Sequence, residues 1–336
     1  MQMGCQMTSL SCEDPEPRIS FVIPHWNKKH LLDCFLPSLR AQTYRDFEII
    51  VVENGSTDGS VEHLRSNYPE VRLVELPENL GFAPATNLGV EASKAEFIAF
   101  FSNDVLADPE WLERMVDVMD AEPEVGMTGS KLVWADQPDK IYAAGDTYTL
   151  GGYPFNVGQN ASVDDPAFSH DRDVFSVCTA AALFRREALE DVKEPWGYFD
   201  NRYFAHGEDT DLGFRLRLRG WRARYVAGAR ARHEGSYSSD PGSPAFIRRT
   251  QRNGVMTFVK DYPARLFIRH WHRALVVFAL SVFLTPHRKS AVMGRIDALL
   301  RLPELLRDRR RIQARISCDL NELERLMKEH RLTRFF

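Results

Sequence analysis

Short apolar runs alternate with amphipathic stretches through the first hundred residues. RISFVIP (18–24), FEIIVVENG (47–55), VRLVELP (71–77) and EFIAFFSND (96–104) are of strand length and nearly continuous in their apolar content. Between them, HLLDCFLPSLRAQ (30–42), SVEHLRSNY (60–68) and FAPATNLGVEAS (82–93) read as helices, with STDGS as the start signal of the second. Strands that are apolar on both faces and separated by helices predict a parallel sheet covered on both sides. Ligands on such sheets bind beyond the carboxyl ends of the strands. HWN (25–27), ENGS (53–56) and SND (102–104) each follow a strand directly, so the pattern gathers three polar clusters on one edge.

Further along, DPEWLERMVDVMDAEPE predicts a helix with Asp108 as N-cap and Pro109 at its first position,. Residues 125–175 are rich in strands and loops and are broken by Gly145, Gly151, Gly152 and Gly158. VFSVCTAAALFRREALEDV reads as strand into helix, and GEDTDLGFRLRLRGW as a helix opened by acidic residues. On the simplest reading those acids complement the helix dipole, and Arg215, Arg217 and Arg219 form a solvated basic face,. ARYVAGARARHEGS is a strand that runs to His233. The expected organisation is a disordered leader over 1–17, a catalytic domain over 18–243 and a basic helical extension over 244–336. The polar start has no apolar segment of the kind a signal peptide needs.

Composition adds two constraints. Hydrophobic content of 44% and charged content of 27% are those of a soluble globular protein,. The five cysteines form no CxxC pair or metal-ligand spacing, which points to a reducing cytoplasm,. The net charge of −4 hides an asymmetry: from Phe246 onward there are 20 Lys and Arg against 8 Asp and Glu, a net of +12, which leaves −16 on the body. Such a tail suits an anionic partner. Within it, ALVVFALSVFLT (274–285) is an apolar core of twelve residues, short of the roughly twenty that a spanning helix needs. Trp271, His272, Arg269, Arg273, Arg288 and Lys289 flank that core and fit a helix lying in the membrane interface,. A helical pair packed on the catalytic domain, or a contact between copies of the chain, is the alternative. No nucleic-acid partner is expected, because the basic residues lack interleaved aromatics on a binding module.

Taken singly, the polar clusters have ordinary explanations. ENGSTD makes a turn with good capping residues, and an isolated His233 needs no ligand. Taken together and in order, however, FVIPHWN, FEIIVVENGSTDGSVE, NLGFAPATNLGV, FIAFFSNDV, TAAALFRREAL, YFAHGEDTDLGFRLRLRGW and ARARHEGS resemble the family 2 glycosyltransferases. The resemblance is to the non-processive, rhamnosyltransferase-like branch and covers about residues 18–240. It implies the GT-A fold: α/β, with a mostly parallel central sheet flanked by helices. It also implies roles for particular residues. Pro24, Trp26, Asn27 and Glu53 would hold the donor nucleotide, with Asn79, Gly81, Asn87 and Asn103 lining the donor site and Thr179 and Ala180 the sugar. The family more often has Asp at the position of Glu53; either carboxylate can accept the imide N–H of uracil or thymine, which suggests a UDP- or dTDP-sugar. SND stands where the family has Asp-x-Asp, so Ser102 replaces the first Asp and Asp104 is left to hold Mn²⁺ or Mg²⁺ on the pyrophosphate,. His233 matches a histidine that completes the metal site in some relatives,. GEDTD matches the pair whose second member is the catalytic base: Asp209, with Glu208 orienting it or binding the acceptor, and Asp211 as the fallback,.

The resemblance therefore implies an inverting, metal-dependent transfer of one sugar to a glycan or lipid-linked acceptor. The expected setting is bacterial surface-polysaccharide assembly in the cytoplasm, with membrane contact through the C-terminal helices. A processive synthase would need spanning helices, and a nucleotidyltransferase would need a Gly-rich basic loop where this chain has PHWNKKH. A non-catalytic nucleotide-sugar-binding scaffold is the rival from another class, and Ser102 is its support.

Overall fold

The computed structural model describes residues 16–235 and 242–328. The expected leader, apart from its last two residues, lies outside them, as do Cys5 and Cys12. The opening alternation is β1 (Ile19–His25), α1 (Lys29–Arg40), β2 (Phe47–Asn54), α2 (Ser60–Asn67), β3 (Arg72–Leu76), α3 (Phe82–Ala92) and β4 (Phe97–Phe101). β1 pairs in parallel with β2 and with β4, and β2 pairs in parallel with β3. The chain continues through β5 (Val105–Ala107), α4 (Trp111–Ala121), β6 (Val125–Trp134), β7 (Ile141–Ala143), β8 (Asp146–Tyr148) and β9 (Pro154–Asn156). Then come β10 (Arg172–Asp173), β11 (Ala181–Arg185), α5 (Arg186–Asp191), α6 (Glu208–Leu218) and β12 (Arg222–His233).

The main sheet runs β10-β12-β6-β11-β4-β1-β2-β3, with β5 on β12 and β7 on β6. β11 is antiparallel between β4 and β6, and β12 is parallel to β6. Alternate residues of the central strands feed two cores. Phe21 and Ile23 pack with Phe35 of α1 and Trp111 of α4. Val22, Ile98 and Phe100 pack with Val90 of α3 and Leu212 and Leu216 of α6. β8 and β9 form a separate hairpin.

Two local expectations change. α4 begins at Trp111, and no side chain of its own N-terminal segment caps it. Gln42 caps it from a distance: Leu112 N–H donates to Gln42 Oε1 at 2.9 Å, and Gln42 Nε2 holds the Asp108 carbonyl at 3.0 Å. The second change concerns α6, whose basic face is not solvated, because the helix lies under other elements. Arg215 and Arg217 are buried. Arg215 donates to the carbonyls of Val192 and Tyr198, and Arg217 to those of Phe175 and Val174. Both arginines satisfy backbone that no strand or helix pairs.

The C-terminal helices are α7 (Pro244–Asp261), α8 (Ala264–Phe283), α9 (Arg288–Leu299), α10 (Leu302–Ala314) and α11 (Leu320–Lys328). They share a core with the rest of the chain, in which Tyr148 and Phe214 pack with Tyr262, Leu266, Ile312 and Leu323. α8 is 20 residues long, and by length and composition it is long and apolar enough to cross a membrane. It exceeds the twelve-residue apolar core read from the sequence because it extends back through Leu266–Arg273. Its outer face leaves Ile268, Leu275 and Phe283 more than 60% exposed.

Candidate active site

A cleft of about 1290 Å³ opens over the carboxyl ends of β1, β2 and β4 and extends to α7 and α8. At one end lie Pro24 and His25 from β1 and Trp26 just after it, with Asn54, Asn79 and Gly81. Asn54, which sequence reading passed over, organises this end. Its amide donates to Asn79 Oδ1 and to the Gly81 carbonyl, and its Oδ1 accepts from Leu80 N–H. Gly81 has φ +95°, and a Cβ there would come within 2.5 Å of the Phe204 ring, so a side chain does not fit,. Asn27 and Glu53 are not on the cleft wall. Asn27 N–H donates to Ser56 Oγ and its Oδ1 accepts from Thr57 N–H, while Glu53 accepts from Ser56 N–H. Together they shape the ENGST loop. Asn87 is likewise occupied: its amide serves the carbonyls of Trp196 and Phe199, and its Oδ1 accepts from Tyr198 and Phe199 N–H. It ties α3 to the 196–201 segment and does not line the cleft.

Ser102, Asn103 and Asp104 follow β4 into the middle of the cleft. Asn103 donates to His25 Nδ1 at 3.0 Å, and the other ring nitrogen faces Ser60 Oγ, also at 3.0 Å. Burial pushes His25 down to about 4, so at neutral pH it is uncharged, with Nδ1 accepting and Nε2 donating,. A histidine directly after an apolar strand was the signal for this support.

The β5–β12 pairing sets His233 opposite Val105, next in the chain to Asp104. His233 Nε2 lies 3.3 Å from Asp104 Oδ1, both side chains nearly buried. An imidazole nitrogen and a carboxylate oxygen at that spacing can share one cation at the usual ligand distance of about 2.1 Å, and both donors suit Mn²⁺. A second group, Asp146, Cys178 and Asp209, brings its ligand atoms within 4.8 Å of one another. It suits a hard cation less well, because burial pushes the Cys178 thiol well up and keeps it protonated,.

The third cluster opens α6. Phe204 and His206 both have positive φ (66° and 70°), and Gly207 follows at 89°. This uncommon backbone is held from outside. Asn253 of α7 donates to the carbonyls of Tyr203, Ala205 and His206, and Arg252 donates to those of Arg202 and Tyr203. Helix α7, placed outside the catalytic domain by sequence, thus grips the turn that presents Glu208 and Asp209. Burial raises Asp209, against the backbone N–H groups of Thr210 and Thr179 that bind its carboxylate. Burial and then the charge of Asp209 push Glu208 up to about 8. Thr179 and Ala180 line the cleft beside them, as does Arg249 of α7, whose guanidinium lies over the Phe204 ring. Asp211 faces away. It meets Lys260 at 2.5 Å and Arg215 at 2.9 Å, and these cations hold it low despite full burial. A carboxylate stabilised as an anion and absent from the cleft wall cannot serve as the base, which removes the fallback.

Comparison with known proteins fits this architecture. Residues 20–193 match the model for glycosyl transferase family 2. The chain is 31% identical over 232 residues to an O-antigen biosynthesis protein of Myxococcus xanthus, covering 66% of this chain and 18% of that one. It is 31% identical over 234 residues to an N-acetylglucosaminyl-diphospho-decaprenol L-rhamnosyltransferase of Mycobacterium tuberculosis, covering 63% of this chain and 75% of that one. Among solved structures, a mannosyltransferase of Pyrobaculum calidifontis in complex with GDP-Man and Mn²⁺ matches with a TM-score of 0.55 at 19% identity, covering 89% of this chain and 85% of that one. GalNAc-T7 with UDP, GalNAc and Mn²⁺ matches with a TM-score of 0.56 at 14% identity, covering 73% of this chain and 49% of that one. Sequence and architecture agree: the chain belongs to glycosyl transferase family 2 and is a glycosyltransferase with the GT-A fold.

Proposed function

We propose that the protein moves one sugar, with inversion, from a nucleotide-diphospho-sugar to a hydroxyl of a glycan or lipid-linked acceptor in bacterial cell-surface polysaccharide synthesis. The observation that carries this reading is the sharing of one cleft by the Asp104–His233 pair and the half-buried carboxylate of Asp209. The mycobacterial relative favours rhamnose as the sugar, carried by dTDP or UDP. Asp104 and His233 would hold Mn²⁺ or Mg²⁺, which when bound offsets the charge that develops on the departing diphosphate. Asp209 takes the proton of the acceptor hydroxyl, and burial makes it a stronger base than a solvated aspartate,. Thr210 and Thr179 fix the direction of that carboxylate. The setting is the cytoplasm, with the exposed Ile268, Leu275 and Phe283 of α8 resting on the inner membrane face between basic residues,. Co-sedimentation with anionic vesicles, lost in Leu275→Ser/Phe283→Ser, checks that placement.

The enzyme reading is tested with a panel of UDP-, dTDP- and GDP-sugars plus Mn²⁺, by measuring release of free nucleoside diphosphate. Slow hydrolysis of one donor is expected, and it should disappear in Asp104→Ala or on chelation. Metal-dependent donor binding without turnover, unaffected by Asp209→Asn, would instead favour the scaffold that Ser102 suggests.

A further inference from the structure

Among the described residues of the cleft wall, only Arg249 and Arg295 carry a fixed positive charge. Arg295 is occupied by the protein itself: it donates to Gln251 Oε1, to the Phe278 carbonyl and to Ser281 Oγ. Arg249, in the second turn of α7, makes neither a hydrogen bond nor an ion pair with any described residue. Burial holds its pKa below the usual arginine range, and the charge that acts against this is that of Glu208. Glu208 is itself pushed up to about 8, so at neutral pH it leaves the arginine without a counter-charge. His206 adds no second cation, because burial and then the charge of Arg249 push it down to about 4. Drawing a cation part-way out of water with nothing opposite it is costly. An anionic ligand in the cleft would supply what is missing.

The guanidinium is also aimed. Its carbon lies 4.8 Å from the centre of the Phe204 ring. A guanidinium laid over a ring keeps its N–H donors around the edge, free for a ligand. Phe204 is fixed in turn, with its carbonyl accepting from Phe82 N–H at 2.6 Å and Ala83 N–H at 3.3 Å. Its ring fills the space beside Gly81 that a Cβ would need. Gly81 belongs to the nucleotide end of the cleft and Glu208 to the acid pair, so Arg249 stands where the two meet. In a nucleotide-sugar laid from one to the other, the diphosphate is the part that spans this junction. One guanidinium can give a phosphate two parallel N–H bonds, whereas a neutral sugar or hydroxyl would leave its charge unanswered.

We propose that Arg249 binds the diphosphate of the donor and is a catalytic residue supplied by the C-terminal helices. This rests on the transfer reading above. As the bond from the anomeric carbon to the β-phosphate oxygen breaks, its electron pair stays on that oxygen. The acceptor oxygen bonds the same carbon and passes its proton to Asp209. Arg249 offsets the charge that arrives on the diphosphate. α7 then serves the site twice, through Asn253 on the turn before Glu208 and through Arg249 on the leaving group.

Binding to the full chain is measured by titration calorimetry in the presence of Mn²⁺. UDP, dTDP and GDP are screened, the tightest is compared with its monophosphate, and octyl phosphate stands for a phosphate carried by an acceptor. The wild type should prefer the diphosphate. Arg249→Gln should weaken the diphosphate about tenfold or more, the size expected for a lost bond to a charged group, and leave the monophosphate nearly unchanged. Arg249→Lys keeps the charge without the fork, so its affinity should fall between the two. Arg249 makes no hydrogen bond within the described fold, so both variants should fold, which thermal melting checks. Unchanged diphosphate affinity in both folded variants would overturn the assignment. So would equal weakening of diphosphate and monophosphate, or a loss confined to octyl phosphate. A wild type that binds no nucleoside diphosphate would instead sink the transfer reading itself.

Discussion

The first turn of α6 carries acidic residues that meet opposite fates within four positions. Glu208 and Asp209 face the cleft, lack cationic partners within salt-bridge distance among the described residues, and are raised by burial. Asp211, one residue beyond Thr210, joins a buried network in which Lys260 lies 2.5 Å from it and 2.7 Å from Asp200. Asp200 and Asp211 are both held low there, despite burial, by Lys260 together with Arg202 and Arg215 respectively. One short acidic motif thus supplies both the proposed base and an anchor. What separates them is the direction in which each side chain leaves the helix, and what α7 places in its way.

The sharpest way to break this comparison is Asp209→Asn. Donor turnover should fall about a thousandfold, within the range for loss of a general base, while the melting temperature holds or rises. Asp211→Asn losing activity in equal measure with its fold intact would erase the distinction. Lys260→Met tests the anchor. It leaves two buried carboxylates with one arginine each, and loss of one partner from a buried ionic cluster typically costs about 3–5 kcal/mol. Urea denaturation should show the midpoint fall, and a change below about 0.5 kcal/mol, the usual range for a surface substitution, would mean that the network does not hold α7 to α6. An effect that appears only as the pH rises should come from Glu208→Gln. The folded chain keeps a proton on Glu208 up to about pH 8, where an unfolded chain releases it near 4.5. The stability linked to that proton is therefore present below pH 4.5 and lost as pH rises towards 8,. The variant should gain on the wild type through that window by up to about 1.4 kcal/mol per pH unit. Parallel melting curves at pH 5 and pH 8 would show that Glu208 is not held protonated.

The parallel half of the sheet was legible because strands covered on both faces must be apolar throughout, as Phe21, Val22 and Ile23 are. The edge clusters followed from it, and the structure brings SND, Glu208, Asp209 and His233 into one cleft. Other features left no such trace. Arg215 and Arg217 read as a solvated face, since the sequence of a helix does not say whether its arginines meet water or buried carbonyls. Asp108 had the form of an N-cap, yet Gln42, from far along the chain, took that role. Asp146 lay in the irregular stretch after β7, where no periodicity says which side chains share a wall.

From residue pattern alone came the alternation of strands and helices, and with it the edge on which chemistry-bearing side chains collect. Covalent order and the burial of both sheet faces are enough for that. Only the tertiary structure separated the acids that face the cleft, Glu208 and Asp209, from Asp211 in the buried network. It also showed that Asn253 and Lys260, far along the chain, hold the turn and helix that present Asp209. Charge and hydrogen bonding act across space, and residues distant in sequence become partners only once the chain has packed.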